Sequence, residues 1–171
     1  YTQAGNYNVS LTIVNTAGCS NTISHPISVL AEPVAAFTTN SPACSQLPVQ
    51  FVNQSVAPAG YIVKWEWNFG DGQSLVVNYP ANPSVTHTYS TYGSYNAVLT
   101  VTTNNGCIST ISKNVQILQS PLANFDNDNT CAGGQTQFSD LSQGNIISWY
   151  WNFGDPGSAG ANNSSVQNPT R

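Results

Sequence analysis

The sequence predicts an all-β chain of tandem seven-strand β-sandwiches, and three observations predict it. Apolar and polar residues alternate at period two in one segment after another. Gly, Pro and Asn punctuate those segments at short intervals. Two long blocks of sequence recur in the same order, so a sandwich-sized unit is present more than once.

The first block is a repeated hairpin. Residues 1–30 (YTQAGNYNVSLTIVNTAGCSNTISHPISVL) align without gaps with residues 89–118 (YSTYGSYNAVLTVTTNNGCISTISKNVQIL) at an offset of 88. Tyr1 falls on Tyr89, Gly5 on Gly93, Tyr7 on Tyr95, Leu11 on Leu99, and Gly18-Cys19 on Gly106-Cys107. The register continues through Pro33/Pro121 and Phe37/Phe125. Tyr7, Val9, Leu11 and Ile13 take one face of a strand, as do Tyr95, Ala97, Leu99 and Val101. Tyr7 and Tyr95 are therefore expected in the core. Val115 and Ile117 give the inward positions of the strand that follows.

The second block is the front of the unit. Residues 44–55 match 131–142, and WEWNFGD at 65–71 matches WYWNFGD at 149–155. The connection between these two pieces is three residues shorter in the second copy, a difference that belongs in a loop. Val49 and Phe51 mark a short strand. Trp65, Trp67 and Phe69 share one face of the next, as do Trp149, Trp151 and Phe153. Ala59-Gly60, Gly70-Asp71-Gly72, Asn82-Pro83 and Asn104-Asn105-Gly106 supply the turns. No segment sustains helical periodicity, and several short strands over about 88 residues make a seven-strand sandwich.

These blocks divide the chain into three. Residues 1–31 are the C-terminal half of one domain, 32–119 a complete domain, and 120–171 the N-terminal half of a further one. Asn168-Pro169 aligns with Asn82-Pro83, so joining Arg171 to a following Tyr1 leaves a second domain a residue or two short. The expectation is one two-domain period of a longer self-repeating chain. A fragment cut within two domains is the alternative, and it would expose unpaired strands.

Composition narrows the function. Charged residues are 6% of the chain, and Lys64, Lys113 and Arg171 are the only basic ones. That leaves no footprint for nucleic acid and no polybasic patch for an anionic membrane. No apolar run reaches membrane-spanning length, so membrane insertion is not expected. Hydrophobic residues at 40% with a net charge of −4 argue against disorder.

Three motifs together carry a resemblance: W-x-W-N-F-G-D-G at 65–72, H-T-Y-x-x-x-G-x-Y at 87–95 running into A-V-L-T-V at 97–101, and V-x-F-x-N-x-S at 49–55. They resemble the PKD domain, an immunoglobulin-like sandwich found in arrays on cell-surface and secreted proteins. The Cys44 and Gly106-Cys107 placements resemble the bacterial surface versions. The third copy departs at Asp155-Pro156-Gly157, where Pro replaces Gly72, and leaves its turn geometry open. The resemblance implies an extracellular spacing, adhesive or carbohydrate-proximal role without catalysis, an analogy at the level of fold.

Each candidate site has a functional and a structural reading. Asp71 and Asp155 suit a metal or catalysis, but an Asp in such a turn accepts hydrogen bonds from its own backbone. Asp126-Asn127-Asp128-Asn129 offers alternating oxygens of the kind calcium takes. The whole domain has Thr38, Thr39, Asn40 and Ser41 there, so Asp126 and Asp128 are weak calcium candidates and no cofactor is expected. His25 and His87 fall at non-equivalent positions, and His87 is expected to pack or hydrogen-bond beside its strand. No nucleophile elbow accompanies the serines, so no catalytic residue is assigned. Trp65, Trp67, Trp149 and Trp151 are expected in cores rather than as carbohydrate platforms. Tyr61, Tyr79 and Tyr92 are better surface candidates, with nothing in the sequence arranging them. Asn8, Asn53, Asn162 and Asn163 stand in N-x-S sequons.

Cys19, Cys44, Cys107 and Cys131 fit an oxidising compartment better than a zinc site. Their pairing stays open. Each repeat carries both cysteines, which favours Cys44 with Cys107, while a standard sandwich sets those loops at opposite ends and favours bonds between successive domains.

The sequence thus points to a structural or adhesive repeat of a long extracellular surface protein or filament. Its partners would be neighbouring copies, head to tail or lateral, and surface glycans or proteins. Ala31-Glu32-Pro33 and Gln119-Ser120-Pro121 would be proline-stiffened linkers. The alternative is a carbohydrate-proximal accessory module of a secreted hydrolase.

Overall fold

The structure is a computed structural model that describes residues 1–128, 130–155, 157 and 162–171. It divides into two units, Tyr1–Leu118 and Gln119–Arg171. All regular structure among the described residues is β, and none of it is a helix long and apolar enough to cross a membrane.

The first unit opens with a hairpin of β1 (Gly5–Val14) and β2 (Ser20–Val29), antiparallel in a register that sets Tyr7 opposite Ile27 and Leu11 opposite Ile23. Asn15 shapes its turn: the side-chain oxygen accepts from Ala17 N at 3.0 Å and Cys19 N at 2.9 Å.

The complete domain follows. It comprises β3 (Phe37–Thr39), β4 (Ala43–Cys44), β5 (Pro48–Asn53), β6 (Ile62–Asn68), β7 (Ser74–Asn78), β8 (Val85–Thr88), β9 (Gly93–Thr103) and β10 (Ile108–Leu118). One sheet has the order β4-β10-β9-β6-β7 and the other β3-β5-β8. β3 and β4 are one edge strand that changes sheets: β3 pairs antiparallel with β5, and two residues of β4 pair parallel with the end of β10. Counting them as one gives the seven strands of an immunoglobulin-like sandwich.

The period-two pattern decides what lies between the sheets. Ala97, Leu99 and Val101 of β9, Val115 and Ile117 of β10, and Val49 and Phe51 of β5 all face the core. Trp67 lies at its centre, with Phe37 5.3 Å away and Phe51 5.6 Å away, both edge to face. Such ring pairs contribute about 1 kcal/mol each beyond the area they bury. Tyr89 is buried too, and its hydroxyl donates to Phe69 O at 2.9 Å. Tyr95 is half-buried at the rim and stacks on Tyr89 at 4.3 Å. Gly70 has φ +84°, and a Cβ there would meet the Asn96 backbone oxygen at 2.7 Å. Only glycine lets the turn after β6 approach β9 so closely.

The second unit contains β11 (Phe125–Asn127), β12 (Phe138–Asp140), β13 (Trp151–Asn152) and β14 (Asn163–Ser164). β11 pairs with β12, and β13 with β14. An isolated bridge joins Gln137 to Thr170, and Arg171 N donates to Thr136 O at 2.9 Å. In the complete domain that place opposite Val49 belongs to His87. Asn168 Oδ1 accepts from Asp140 N at 2.8 Å, as Ser84 Oγ accepts from Asn53 N at 3.1 Å. The register therefore corrects the alignment of Asn168-Pro169 with Asn82-Pro83: Asn168 stands for Ser84 and Arg171 for His87. The Asn-Pro match is a coincidence of turn composition. Trp149 and Trp151, expected in a core, are half-buried, because the described residues of the second unit include no strands equivalent to β9 and β10.

Leu99→Ala should lower the unfolding free energy of the complete domain by about 3 kcal/mol in urea titration. Val76→Ala, opposite Glu66 on the outward face of β7, should change it by less than about 1 kcal/mol.

Candidate functional site

The β6–β7 turn and strand β8 meet in the most elaborate polar cluster of the complete domain. Asn68 caps the turn through Gly70 N at 2.9 Å, and Asp71 Oδ1 accepts from Gln73 N at 3.0 Å. The other Asp71 oxygen accepts from His87 Nε2 at 2.7 Å. His87 lies flat on Phe69, with ring centres 4.0 Å apart and planes 5° apart, and meets the edge of Tyr89 at 4.6 Å. Its side chain is 8% exposed. Burial works to raise the Asp71 pKa, but the His87 hydrogen bond, the Gln73 N–H and the His87 charge outweigh it. The carboxyl ends below its ordinary value. Burial pushes the Tyr89 phenol far up, aided by the Asp71 charge and by Tyr95.

The second unit builds the same link with a different partner for its aspartate. Arg171 Nη2 lies 2.7 Å from Asp155 Oδ2, and its guanidinium sits 5.3 Å from the centre of the Phe153 ring. Asp71 and His87 are 16 residues apart, and so are Asp155 and Arg171. That equal spacing is the sequence signal for the pair. Each link ties strand β8, or its equivalent, to the turn after the tryptophan strand. Pro156, the residue that departs from the motif, lies outside the described residues.

Asp126 Oδ1 accepts from Asn127 N at 2.8 Å and Asp128 Oδ1 from Gln137 N at 2.7 Å, so each calcium candidate has one oxygen on backbone. Asn129 of that series lies outside the described residues. Among those described, no three His, Cys, Asp or Glu side chains gather as metal ligands would. Of the sequons, Asn8 and Asn163 are exposed and Asn53 and Asn162 half-buried. His25 is exposed on β2.

The cysteines require a correction. No two of the four cysteines are bonded within the chain, and the pairing of Cys44 with Cys107 is excluded by topology. Cys44 pairs in register with Leu118 at one end of β10, while Cys107 precedes Ile108 at the other. A strand of this length sets them roughly 30 Å apart, against the 7 Å or so that a disulfide tolerates.

The tryptophans differ between the units. Trp65 and Trp67 are buried, and Trp67 Nε1 donates to Pro83 O at 3.1 Å. Trp65 Nε1 is buried without a partner. Its counterpart Trp149 donates to Asp140 Oδ2 at 2.8 Å. Asp140 is held low, at about 2, by hydrogen bonds from the Ser142 hydroxyl and N–H and from Trp149. Trp149 and Trp151 line an open cavity of about 800 Å³ with Phe125, Phe138 and Phe153.

Two surface tyrosines that the sequence leaves unconnected come together. Tyr61 enters β6 and Tyr79 leaves β7, and their rings lie 5.6 Å apart at 58°. They are 54% and 63% exposed. Asn104 fixes the first by accepting from Tyr61 N at 2.9 Å and donating its own N–H to Tyr61 O at 2.9 Å. Tyr79 N donates to Val63 O at 2.9 Å. Tyr92 is exposed in the β8–β9 connection.

The Asp71 pair makes a prediction with a defined sign. Folding lowers the Asp71 pKa, so its contribution is complete above the ordinary carboxylate range and is lost as pH falls through the lowered value. Asp71→Asn should cost about 2 kcal/mol at neutral pH by urea unfolding, with the difference from the parent shrinking as pH falls through the lowered Asp71 value.

Residues 30–117, just over half of the chain, match the family model of the PKD domain. Collagenase ColA of Clostridium perfringens is 27% identical over 122 residues, which are 71% of this chain and 11% of the collagenase. The chain thus spans about a tenth of that relative's length. The PKD1 domain of Vibrio anguillarum Epp is 27% identical, with all of it and 54% of this chain aligned at a TM-score of 0.47. The PKD1 domain of the Vibrio cholerae metalloprotease PrtV is 31% identical, with 98% of it and 51% of this chain aligned at a TM-score of 0.44.

Proposed function

Because this chain belongs to the PKD domain family, we propose that it serves outside the cell as a non-catalytic, load-bearing spacer repeat. One observation carries the reading: the first and last strands of the complete domain are clamped side by side and parallel. Ala43 pairs with Ile117 and Cys44 with Leu118. Ser45 N donates to Leu118 O at 2.8 Å. Ser41 Oγ donates to Gln116 O at 3.1 Å and accepts from Gln116 N at 2.8 Å.

The chain enters this domain beside the start of β10, where Ala35 N donates to Ser109 Oγ at 3.3 Å, and leaves at the end of β10. A pull on the two ends drags β4 and β10 in opposite directions along their length. All the clamp's hydrogen bonds are then loaded together in shear instead of opening one at a time. Lys113 adds a tie from β10 to Phe37 O at 2.6 Å. Such a domain transmits tension along a polypeptide and leaves its loops free.

The relatives that match are parts of a collagenase and of a metalloprotease, which favours a second reading. The Tyr61–Tyr79 pair is the feature that suits it. Two exposed rings held by their backbones offer a stacking surface to a polysaccharide or other extended polymer. An accessory module of a secreted hydrolase would use such a surface to stay near its substrate.

Each reading has its test. In single-molecule pulling, Ser41→Ala should lower the force at which the complete domain yields, with Tyr92→Ala leaving it unchanged. Equal forces for Ser41→Ala and the parent would remove the load-bearing reading. On a glycan array, or in pull-down with insoluble polysaccharide, any binding should be lost on changing Tyr61 and Tyr79 to Ala. Retention by that variant would move the contact elsewhere.

A further inference from the structure

Within the complete domain, β7 is an edge of the five-stranded sheet. It pairs with β6 on one side, and among the described residues no strand pairs with the other. Tyr79 N donates to Val63 O at 2.9 Å and Phe69 N to Gln73 O at 3.1 Å, so the odd-numbered residues of this stretch turn their backbone groups to β6. Ser74, Val76 and Asn78 turn theirs outward. The Asn78 oxygen accepts from Ala81 N at 3.0 Å, and the rest form an open ladder. Sheets ordinarily blunt such edges with charge, proline, a bulge or shortness. The other edges of this domain are blunted: β4 has two residues, β3 has three, and β8 has four with Pro83 just ahead. β7 has five residues, Ser-Leu-Val-Val-Asn, with no charge, no proline and an unbroken register.

The apolar residues of this edge are not a demand of the fold. Leu75, opposite Trp67 on the inward face, is 43% exposed, and Val76, opposite Glu66 on the outward face, is 49% exposed. In the second unit Asn163 stands opposite Asn152 as Ser74 stands opposite Asn68, so residues 163–167, Asn-Ser-Ser-Val-Gln, correspond to β7. Ser164 and Ser165 hold the places of Leu75 and Val76. The tryptophan strand there finds its partner with serine in both positions.

We propose that two copies of this chain join their β7 strands antiparallel, about a two-fold axis through Val76. The strand is self-complementary in that register. Val76 meets Val76 of the second copy, and the outward-pointing backbone groups of each are the ones such a pair exchanges. Ser74 meets Asn78, hydroxyl against amide, and Leu75 meets Val77 on the inward face, apolar against apolar. A parallel join through the same edges would turn one copy over and set its inward face beside the other's outward face. The charges nearest the seam, Lys64 and Glu66 on β6, already neutralise each other at 2.8 Å.

The same patch serves both copies, so the contact is isologous and closes at two. A five-residue seam buries on the order of 1,000 Å² over both copies, at the low end for specific interfaces, and the contact is weak and reversible. β4 and β7 are opposite edges of the sheet, so the pairing leaves the β4–β10 clamp untouched.

The test is a register-specific cross-link in the full chain, with the four native cysteines changed to Ser, in two versions, Ser74→Cys and Asn78→Cys. In the proposed register residue 74 of one copy faces residue 78 of the other with Cα atoms about 5.5 Å apart, within reach of a disulfide. The two residues 74 lie about 13 Å apart along the seam, beyond that reach. Oxidising a concentrated mixture of the two versions should give a reducible dimer carrying the 74–78 link, and either version alone should stay monomeric. Dilution before oxidation should lower the yield. Adding Val76→Lys to both versions sets like charges face to face at the axis and should abolish the dimer, with near-UV circular dichroism confirming that the complete domain remains folded. A mixture that forms no more dimer than either version alone would overturn the proposal. So would 74–74 and 78–78 links, the mark of a parallel stack, or a dimer that survives Val76→Lys.

Discussion

The structure depends on one contact, the pairing of β9 with β6 over the Trp67 ring cluster. β6 supplies Trp65 and Trp67 and leads into Phe69, and the facing sheet supplies Phe37 and Phe51. Large rings in a small sandwich bury a high fraction of a modest apolar inventory, but only when both sheets are present. β9 closes the last side, and its small and branched residues Ala97, Leu99 and Val101 fit against the rings. The glycine turn at Gly70 exists to let that approach happen, since any side chain there strikes Asn96. In the second unit, where the described residues include no β9 counterpart, the same sequence elements leave Phe125 exposed and both tryptophans half-covered.

Most of this architecture was legible because it rests on local rules. Alternation of side chains along a strand is local, and so is the demand of tight turns for Gly, Asn and Asp. Together with the internal repeat they give the sandwich. What was not legible is what the third dimension decides. The edge strand changes sheets between Thr39 and Ala43, which period two cannot signal because both halves remain extended. Tyr61 and Tyr79 are separated by a whole hairpin and become neighbours only when β6 and β7 pair. Asn168-Pro169 looks like Asn82-Pro83 because turns reuse the same residues, and only strand register shows the two-residue offset. The Asp71–His87 link escaped for a related reason: its second copy carries Arg171 where the first has His87, so residue identity hides a shared position.

That substitution also bears on how the repeats work. A planar cationic or aromatic group laid on a phenylalanine and hydrogen-bonded to a turn aspartate fastens β8 to the opposite sheet's turn in either form. The parallel β4–β10 clamp does the corresponding work at the edge. The first device joins side chains, and the second runs mostly through backbone groups. Under the proposed load-bearing role both would keep the domain's shape, and the exposed tyrosines lie apart from them on the β6–β7 hairpin.

The scarcity of charge has a last consequence, for how the fold answers to its medium. With charged residues at 6% and a net charge of −4, the chain offers added salt little to screen. Its cohesion comes from apolar contact between the sheets, which weakens on cooling. Temperature, more than ionic strength, therefore decides how firmly the sandwich holds together.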